Sequence, residues 1–463
     1  MSLDPRSILV AGTRSAVVCT RQRGNPSLDG SLSRRRGLVE HLGLAILVLA
    51  TAAACSLQGG ATASARPSRS SSATGGRAAP SVMRMSTAST PAGSPTPTEP
   101  GFSPTGSMRV VRARQTATLL ADGRVLVAGG FGGSIPVASA ELYDPAAGTF
   151  SPTGAMAVAR AGQTATLLTD GRVLVAGGFD GSTILTSAEL YDPTTGSFTA
   201  AGSMAQPHDG GTATLLVDGE VLMAGGIDPD SPEQQGFASA ELYDPGTGGF
   251  RTTGSMVQGR YGQAATLLAD GRVLVAGGAG RPADLASAEL YDPKTGRFAA
   301  TGSMAEARYG PSATLLGDGG VLVAGGWREQ TDLAAAEIYD PRTGEFSATA
   351  SMADARYECA ATRLADGRVL LVGGRDQSAV LASAELYDRG IGEFSDAGVL
   401  AQARDDPTAT VLHDGSVLVA GGYADSGQTM PWLRLSYGGP DDQLQLSSRK
   451  RHTRAPAGRS KRS

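Results

Sequence analysis

An all-β fold made of seven repeated units, each of four short strands, is predicted by three observations. Gly-Gly pairs begin at residues 129, 177, 225, 277, 325, 373 and 421 of the 463-residue chain. Their spacing is 48 residues, or 52 between the third and fourth pairs, and self-similarity at such a period marks a repeat architecture. Around each pair the same runs recur in order: a Thr-Ala-Thr-Leu-Leu type run, an Asp-Gly turn, a Val-Leu-Val-Ala-Gly-Gly run, an Ala-Glu-Leu-Tyr-Asp-Pro run and a run carrying phenylalanine. Glycine is abundant at 64 residues while aromatic residues make up only 5%, which suits short strands and tight turns rather than long helices. Repeats of this length with four strands each pack radially, so the expected architecture is a seven-bladed β-propeller.

In chain order, the first element is a leader. Arg34-Arg35-Arg36 precedes an apolar run over residues 42–54, the layout of an export signal, and the run is too short to span a bilayer comfortably. It ends in Ala52-Ala53-Ala54-Cys55, which resembles a bacterial lipobox, with Ala52 standing where leucine is usual. That resemblance implies cleavage before Cys55, a lipid on its thiol and an extracytoplasmic location on the cell membrane; secretion is the alternative. Residues 1–55 are therefore read as an export signal, of which residues 1–54 are expected to be removed and Cys55 to carry the lipid. Residues 56–100 are rich in Ser, Ala, Thr, Pro and Gly with almost no aliphatic clusters and read as a disordered linker that holds the folded part away from the membrane. The propeller should span 101–437, followed by a disordered basic tail over 438–463.

The repeats also specify closure. The segment Gly101-Phe-Ser-Pro-Thr-Gly-Ser-Met108 matches the fourth-strand segment Thr149-Phe-Ser-Pro-Thr-Gly-Ala-Met156 but has no first three strands before it, while the last unit lacks a fourth. The N-terminal segment is expected to complete the seventh blade as its outer strand, beside a degraded third strand near Leu433 to Tyr437. Closure of this kind removes exposed sheet edges.

A double glycine with a downstream tyrosine and aromatic residue, preceded by an arginine, resembles the kelch repeat over about residues 101–437. The tyrosines are Tyr143, Tyr191, Tyr243, Tyr291, Tyr339 and Tyr387; the tryptophan usual in that family is replaced by Phe150, Phe198, Phe250, Phe298, Phe346 and Phe394.

The turns Asp-Gly and Asp-Pro-x-x-Gly fall on one face and scarcely vary, which signals a shared structural need. The opposite face gathers the loop leading into each first strand and the loop leaving each Gly-Gly, and there the units differ, leaving room for a specific site. Arginines recur in the leading loops at 112, 160, 260, 308, 356 and 404. Glutamates recur as regularly, so Arg-Glu pairing is one reading; the kelch resemblance implies instead that arginines such as Arg308 and Arg356 line a ligand face. The next position holds Tyr261, Tyr309 and Tyr357 in consecutive units, and the residues after Gly-Gly add Trp327, Arg375 and Tyr423. Together they form a candidate aromatic crescent for a glycan or protein ligand, because flat rings give large contact area at little rotamer cost.

The formal charge of -4 implies no nucleic-acid partner. The cysteines at 19, 55 and 359 have no metal-ligand spacing, and Cys359 reads as a small buried apolar residue. The chain is also similar to the propeller of galactose oxidase, whose copper site needs histidines, tyrosines and a linked cysteine. Only His208 and His413 fall in the repeats, on opposite faces, so no cofactor, metal site or catalytic residue is expected. The sequence thus predicts a non-catalytic extracytoplasmic binding module. The alternatives are a carbohydrate-active enzyme, in which Glu358, Asp405 and Arg375 would serve a sugar mutarotase, and a purely structural envelope spacer.

Overall fold

The computed structural model describes residues 101–230, 236–280 and 283–424. The expected export signal with Cys55, the linker, the strand near residues 433–437 and the basic tail lie outside the described residues. Every regular element described is a β-strand. In the first blade the strands Thr116–Leu119, Val125–Ala128, Ala140–Asp144 and Thr149–Pro152 pair antiparallel in sequence order, and five further four-stranded sheets repeat this arrangement.

The sequence therefore reads a propeller correctly, but the complete blades among the described residues number six rather than seven. In the seventh unit only Thr408–Val411 and Val417–Ala420 form a sheet, because no third or fourth ladder partner stands among the described residues. The ring nevertheless has seven positions. Each inner strand lies against the next, from Thr116–Leu119 and Thr164–Leu167 round to Thr408–Val411, which touches both Ala360–Arg363 and Thr116–Leu119.

Hydrophobic patterning explains the burial. Second strands such as Val173–Ala176 are buried along their whole length, because both faces of each blade are covered by neighbours and alternate residues serve opposite sides. In the first blade Leu126 and Ala128 pack toward the second blade with Leu142, Met156, Val173, Val175 and Tyr191. Val125 and Val127 pack the other way, with Tyr143, Leu412 and Leu418. Fourth-strand phenylalanines sit at the rim, their rings 4.8 to 5.0 Å from the tyrosine opposite, as in Tyr143–Phe150 and Tyr243–Phe250.

The fourth strands of the first, third, fourth and fifth blades also latch the next blade through a threonine. Thr153 Oγ1 and the Tyr191 hydroxyl share a 2.8 Å hydrogen bond, and the Gly154 amide donates to the Gly196 carbonyl at 2.9 Å. The N-terminal segment makes the same latch onto the first blade: Thr105 Oγ1 lies 2.8 Å from the Tyr143 hydroxyl, and the Gly106 amide donates to Gly148 at 2.9 Å. Phe102 packs on the cluster of Leu370, Val372 and Leu386, and Met108 on that of Val125, Val127 and Leu412. The segment thus occupies the outer place of the seventh unit, yet it is not a strand, correcting the expectation of strand closure. A strand requires a ladder partner, and none is present among the described residues.

Candidate ligand-binding site

The loop leading into each first strand folds back onto the loop leaving Gly-Gly. A bridge joins Tyr309 to Trp327, another Tyr357 to Arg375 and a third Asp405 to Tyr423, so the predicted crescent is brought together on three consecutive blades. The rings continue the chain of contacts: Tyr261 and Tyr309 meet edge to face at 5.8 Å, and Tyr309 and Trp327 at 6.4 Å. All of these side chains, and Arg375, are half-buried.

Arg308 and Arg356 belong elsewhere, and here the expectation of ligand contact is corrected. Both are 0% exposed. Arg308 Nη1 donates to the carbonyls of Gly325 and Ala335 at 2.8 and 2.7 Å, and its Nη2 lies 3.0 Å from Glu337. Arg356 is held in the same way by Gly373, Ser383 and, at 2.9 Å, Glu385. The guanidinium staples the leading loop, the Gly-Gly turn and the third strand of one blade, and the same staple recurs at Arg112, Arg160 and Arg260. Burial on that scale leaves no face for a ligand.

The residues after the crescent positions form an inner ring, a neck joined from unit to unit by backbone hydrogen bonds, and sequence reasoning did not recognise it. Glycine stands there at 162, 210, 262 and 310, while Arg114, Glu358 and Asp406 stand there in the first, sixth and seventh units. All seven have positive φ, from 52° to 69°. Backbone bonds link one unit to the next around this neck, as from the Gly262 amide to Gly210 at 2.7 Å and from the Asp406 amide to Glu358 at 3.1 Å. A left-handed backbone suits glycine and strains other residues, so three consecutive charged side chains there are outliers maintained against a cost. Glycine also admits its neighbours: a Cβ on Gly262 would run into the Tyr309 ring, and one on Gly162 into the Asp209 carboxylate. The signal was present in the aligned units as four glycines against three charged residues. It was overlooked because the position one step earlier carries the aromatic residues.

Charge at the mouth is uneven. Arg114 Nη2 reaches across the ring to Asp209 Oδ1 at 3.2 Å, and Arg375 Nη1 lies 3.4 Å from Asp405 Oδ2. The Asp209 carboxylate holds the Arg114 guanidinium above its ordinary range. Glu358 is pushed up to about 8 by burial and by the charges of Asp406 and Asp405. Asp405 is pushed up to about 7 by burial, which outweighs Arg375, and burial likewise raises Asp406. Burial also lifts the Tyr357 hydroxyl to about 12 and carries those of Tyr309 and Tyr423 higher.

Comparison with known proteins places this geometry. The Kelch motif family matches residues 160–205 and 308–353. Among solved structures the chain is similar to a fungal alcohol oxidase of the AA5 family in complex with copper, with 18% identity, a TM-score of 0.58, and 69% of this chain and 72% of that one covered. It is also similar to a protein described as YjhT, with 14% identity, a TM-score of 0.51, and 63% of this chain and 98% of that one covered. No curated protein matches the chain. Among the described residues the two histidines stand far apart in role. His208 takes the place of a staple arginine with Nε2 3.9 Å from Glu241, and His413 lies against Gly123 on the turn face. Among the described residues no three His, Cys, Asp or Glu side chains stand together as a metal centre. Repeat motif, sheet order and ring architecture agree: the chain carries kelch motifs and folds as a β-propeller.

Proposed function

We propose that this protein is a non-catalytic binding module that acts outside the cytoplasm, tethered through a lipid on Cys55, and takes its ligand at the mouth of the ring on the loop face. The observation that carries the reading is the contrast between the two faces. The turn face repeats Asp-Gly unit after unit, whereas the loop face collects Tyr261, Tyr309, Trp327, Tyr357, Arg375 and Tyr423 around a strained, charged neck. Half-buried rings beside polar groups are the composition of binding hot spots. The leader's basic patch, apolar run and small residues before Cys55 support the location.

The test is capture of a partner from cell envelope by the full-length protein. Replacing Tyr309, Trp327 and Tyr357 together by alanine should abolish capture, since buried aromatic anchors commonly contribute about 2 kcal/mol each to binding. The fold should survive, at about 1 kcal/mol per substitution. A triple variant that still captures its partner, or that is unfolded, overturns the assignment.

One observation favours a second reading. Glu358 and Asp405, at about 8 and about 7, would exchange protons near neutral pH, as the general acid and base of a sugar mutarotase must. Accelerated anomer exchange of a reducing sugar, measured by NMR and lost in Glu358→Gln, would replace the non-catalytic reading.

A further inference from the structure

The loop-face mouth has more acceptors than its own chain satisfies. Four carboxyl groups, Asp209, Glu358, Asp405 and Asp406, converge there with two arginines, Arg114 and Arg375. Asp209 is matched by Arg114 and one oxygen of Asp405 by Arg375. The other oxygen of Asp405 has no hydrogen-bond partner although the residue is only 2% exposed. Among the described residues, no hydrogen bond or ion pair reaches the carboxylates of Glu358 or Asp406. A buried acceptor without a donor is expensive, and natural proteins retain one where a water, ion or ligand supplies the donor. Removing either acid would relieve both repulsion and, at the neck, left-handed strain. A ligand that brings positive charge and several N–H groups would meet the buried Asp405 oxygen and the two half-buried acids beside it.

Resting on the binding reading above, we infer that the mouth receives a basic side chain, the ammonium of lysine or the guanidinium of arginine, from a peptide or protein partner. Its charge would compensate the carboxylates of Glu358 and Asp406 and the oxygen of Asp405 that Arg375 leaves free. The half-buried rings of Tyr309, Trp327, Tyr357 and Tyr423 border the same opening, and aromatic faces attract organic cations. Among the described residues these acids share one space but do not come close enough together to hold a metal ion as three donors.

Proton linkage follows. Glu358 and Asp405 hold protons up to about pH 8 and about pH 7 in the free protein. A cation favours their ionised forms, so binding expels protons and tightens as pH rises, levelling once both are already ionised. Arg114, Arg375, Asp209, Asp406, Tyr261, Tyr309, Tyr357 and Tyr423 face the same space.

The experiment is calorimetric titration of the full-length protein with acetyl-Gly-Lys-Gly-amide, acetyl-Gly-Arg-Gly-amide, the Nε-acetylated lysine peptide and glucosamine. The basic peptides should bind, the acetylated peptide at least about tenfold more weakly, because acetylation removes the charge. Affinity should rise up to about tenfold per pH unit for each proton expelled, between about pH 6 and 8. Glu358→Gln and Asp406→Asn, prepared separately, should each weaken binding at least about tenfold while leaving the melting temperature unchanged or higher, since each removes a like-charge contact. Absence of binding by both basic peptides, equal affinity for the acetylated form, or affinities unchanged in both variants overturns the inference, and tighter binding of glucosamine than of either peptide overturns it in favour of an amino sugar. If the charge variants still capture an envelope partner that the Tyr309/Trp327/Tyr357 variant loses, the cation inference fails while the binding site stands. If the aromatic variant captures it too, the binding reading itself fails.

Discussion

Arg356 and Tyr357 are adjacent in the chain, yet one is sealed inside a blade and the other borders the opening of the ring. Removing the first should be far more damaging. Arg356→Leu strands Glu385 without its 2.9 Å partner, and breaking a buried pair by deleting one member costs about 3–5 kcal/mol. Tyr357→Ala should cost about 1 kcal/mol. Urea unfolding of the two variants checks the order, and comparable midpoints would show that the staple is not what holds the loop. The acids of the neck give stability a pH dependence of definite sign. Glu358 and Asp405 lie at about 8 and about 7 against ordinary values of 4.5 and 3.8, so the folded state binds protons that the unfolded chain releases. Their contribution is intact below about pH 4 and lost as pH rises to about 8. Exposed turn-face acids such as Asp122, lowered by its hydrogen bond to Arg124, work in the opposite direction but weakly, because solvent screens them. Between pH 5 and 8 the melting temperature of the wild type should therefore fall more than that of Glu358→Gln. Parallel profiles would refute the link.

At the scale of the strand, what the sequence made readable was what repeats. The second strands, such as Val221–Ala224 and Val273–Ala276, are buried throughout, and their continuous apolar runs announced a sheet covered on both faces. The Asp-Gly turns were equally plain, as at Gly171 with φ +87°. The staple could be guessed from matched Arg and Glu spacing, but its depth could not, because periodicity shows that two charges meet and not whether water reaches them. The crescent was legible as a departure from the repeat. The neck beside it was not, because its meaning lies in φ: Arg114 and Asp406 look like ordinary loop charges until the backbone places them where four other units need glycine. The pairing of Arg114 with Asp209, separated by 95 residues, exists only because the ring brings the first and third units around one centre.

For the whole molecule, the question is how a ring whose described residues make six complete blades and one two-stranded unit stays closed. The inner strands answer it partly, since Thr408–Val411 touches both neighbours. The outer side depends on residues 101–108, which supply to the seventh unit what fourth strands supply elsewhere. Phe102 fills the rim between the sixth and seventh units as Phe150 does between the seventh and the first, and Thr105 takes the latch on Tyr143 that Thr153 takes on Tyr191. The segment makes these contacts without a ladder, so it should be the first part of the ring to let go, and its removal should open the circle from that point. Deleting residues 101–108 uncovers the cluster around Leu370 and Leu386 and leaves the Tyr143 hydroxyl without Thr105. Lost packing alone should then cost about 3 kcal/mol or more, and aggregation should follow from the uncovered seventh-unit edge. Deleting residues 56–89 instead should leave the melting temperature where it was. Equal melting temperatures for the two truncations would show that the inner strands close the ring unaided.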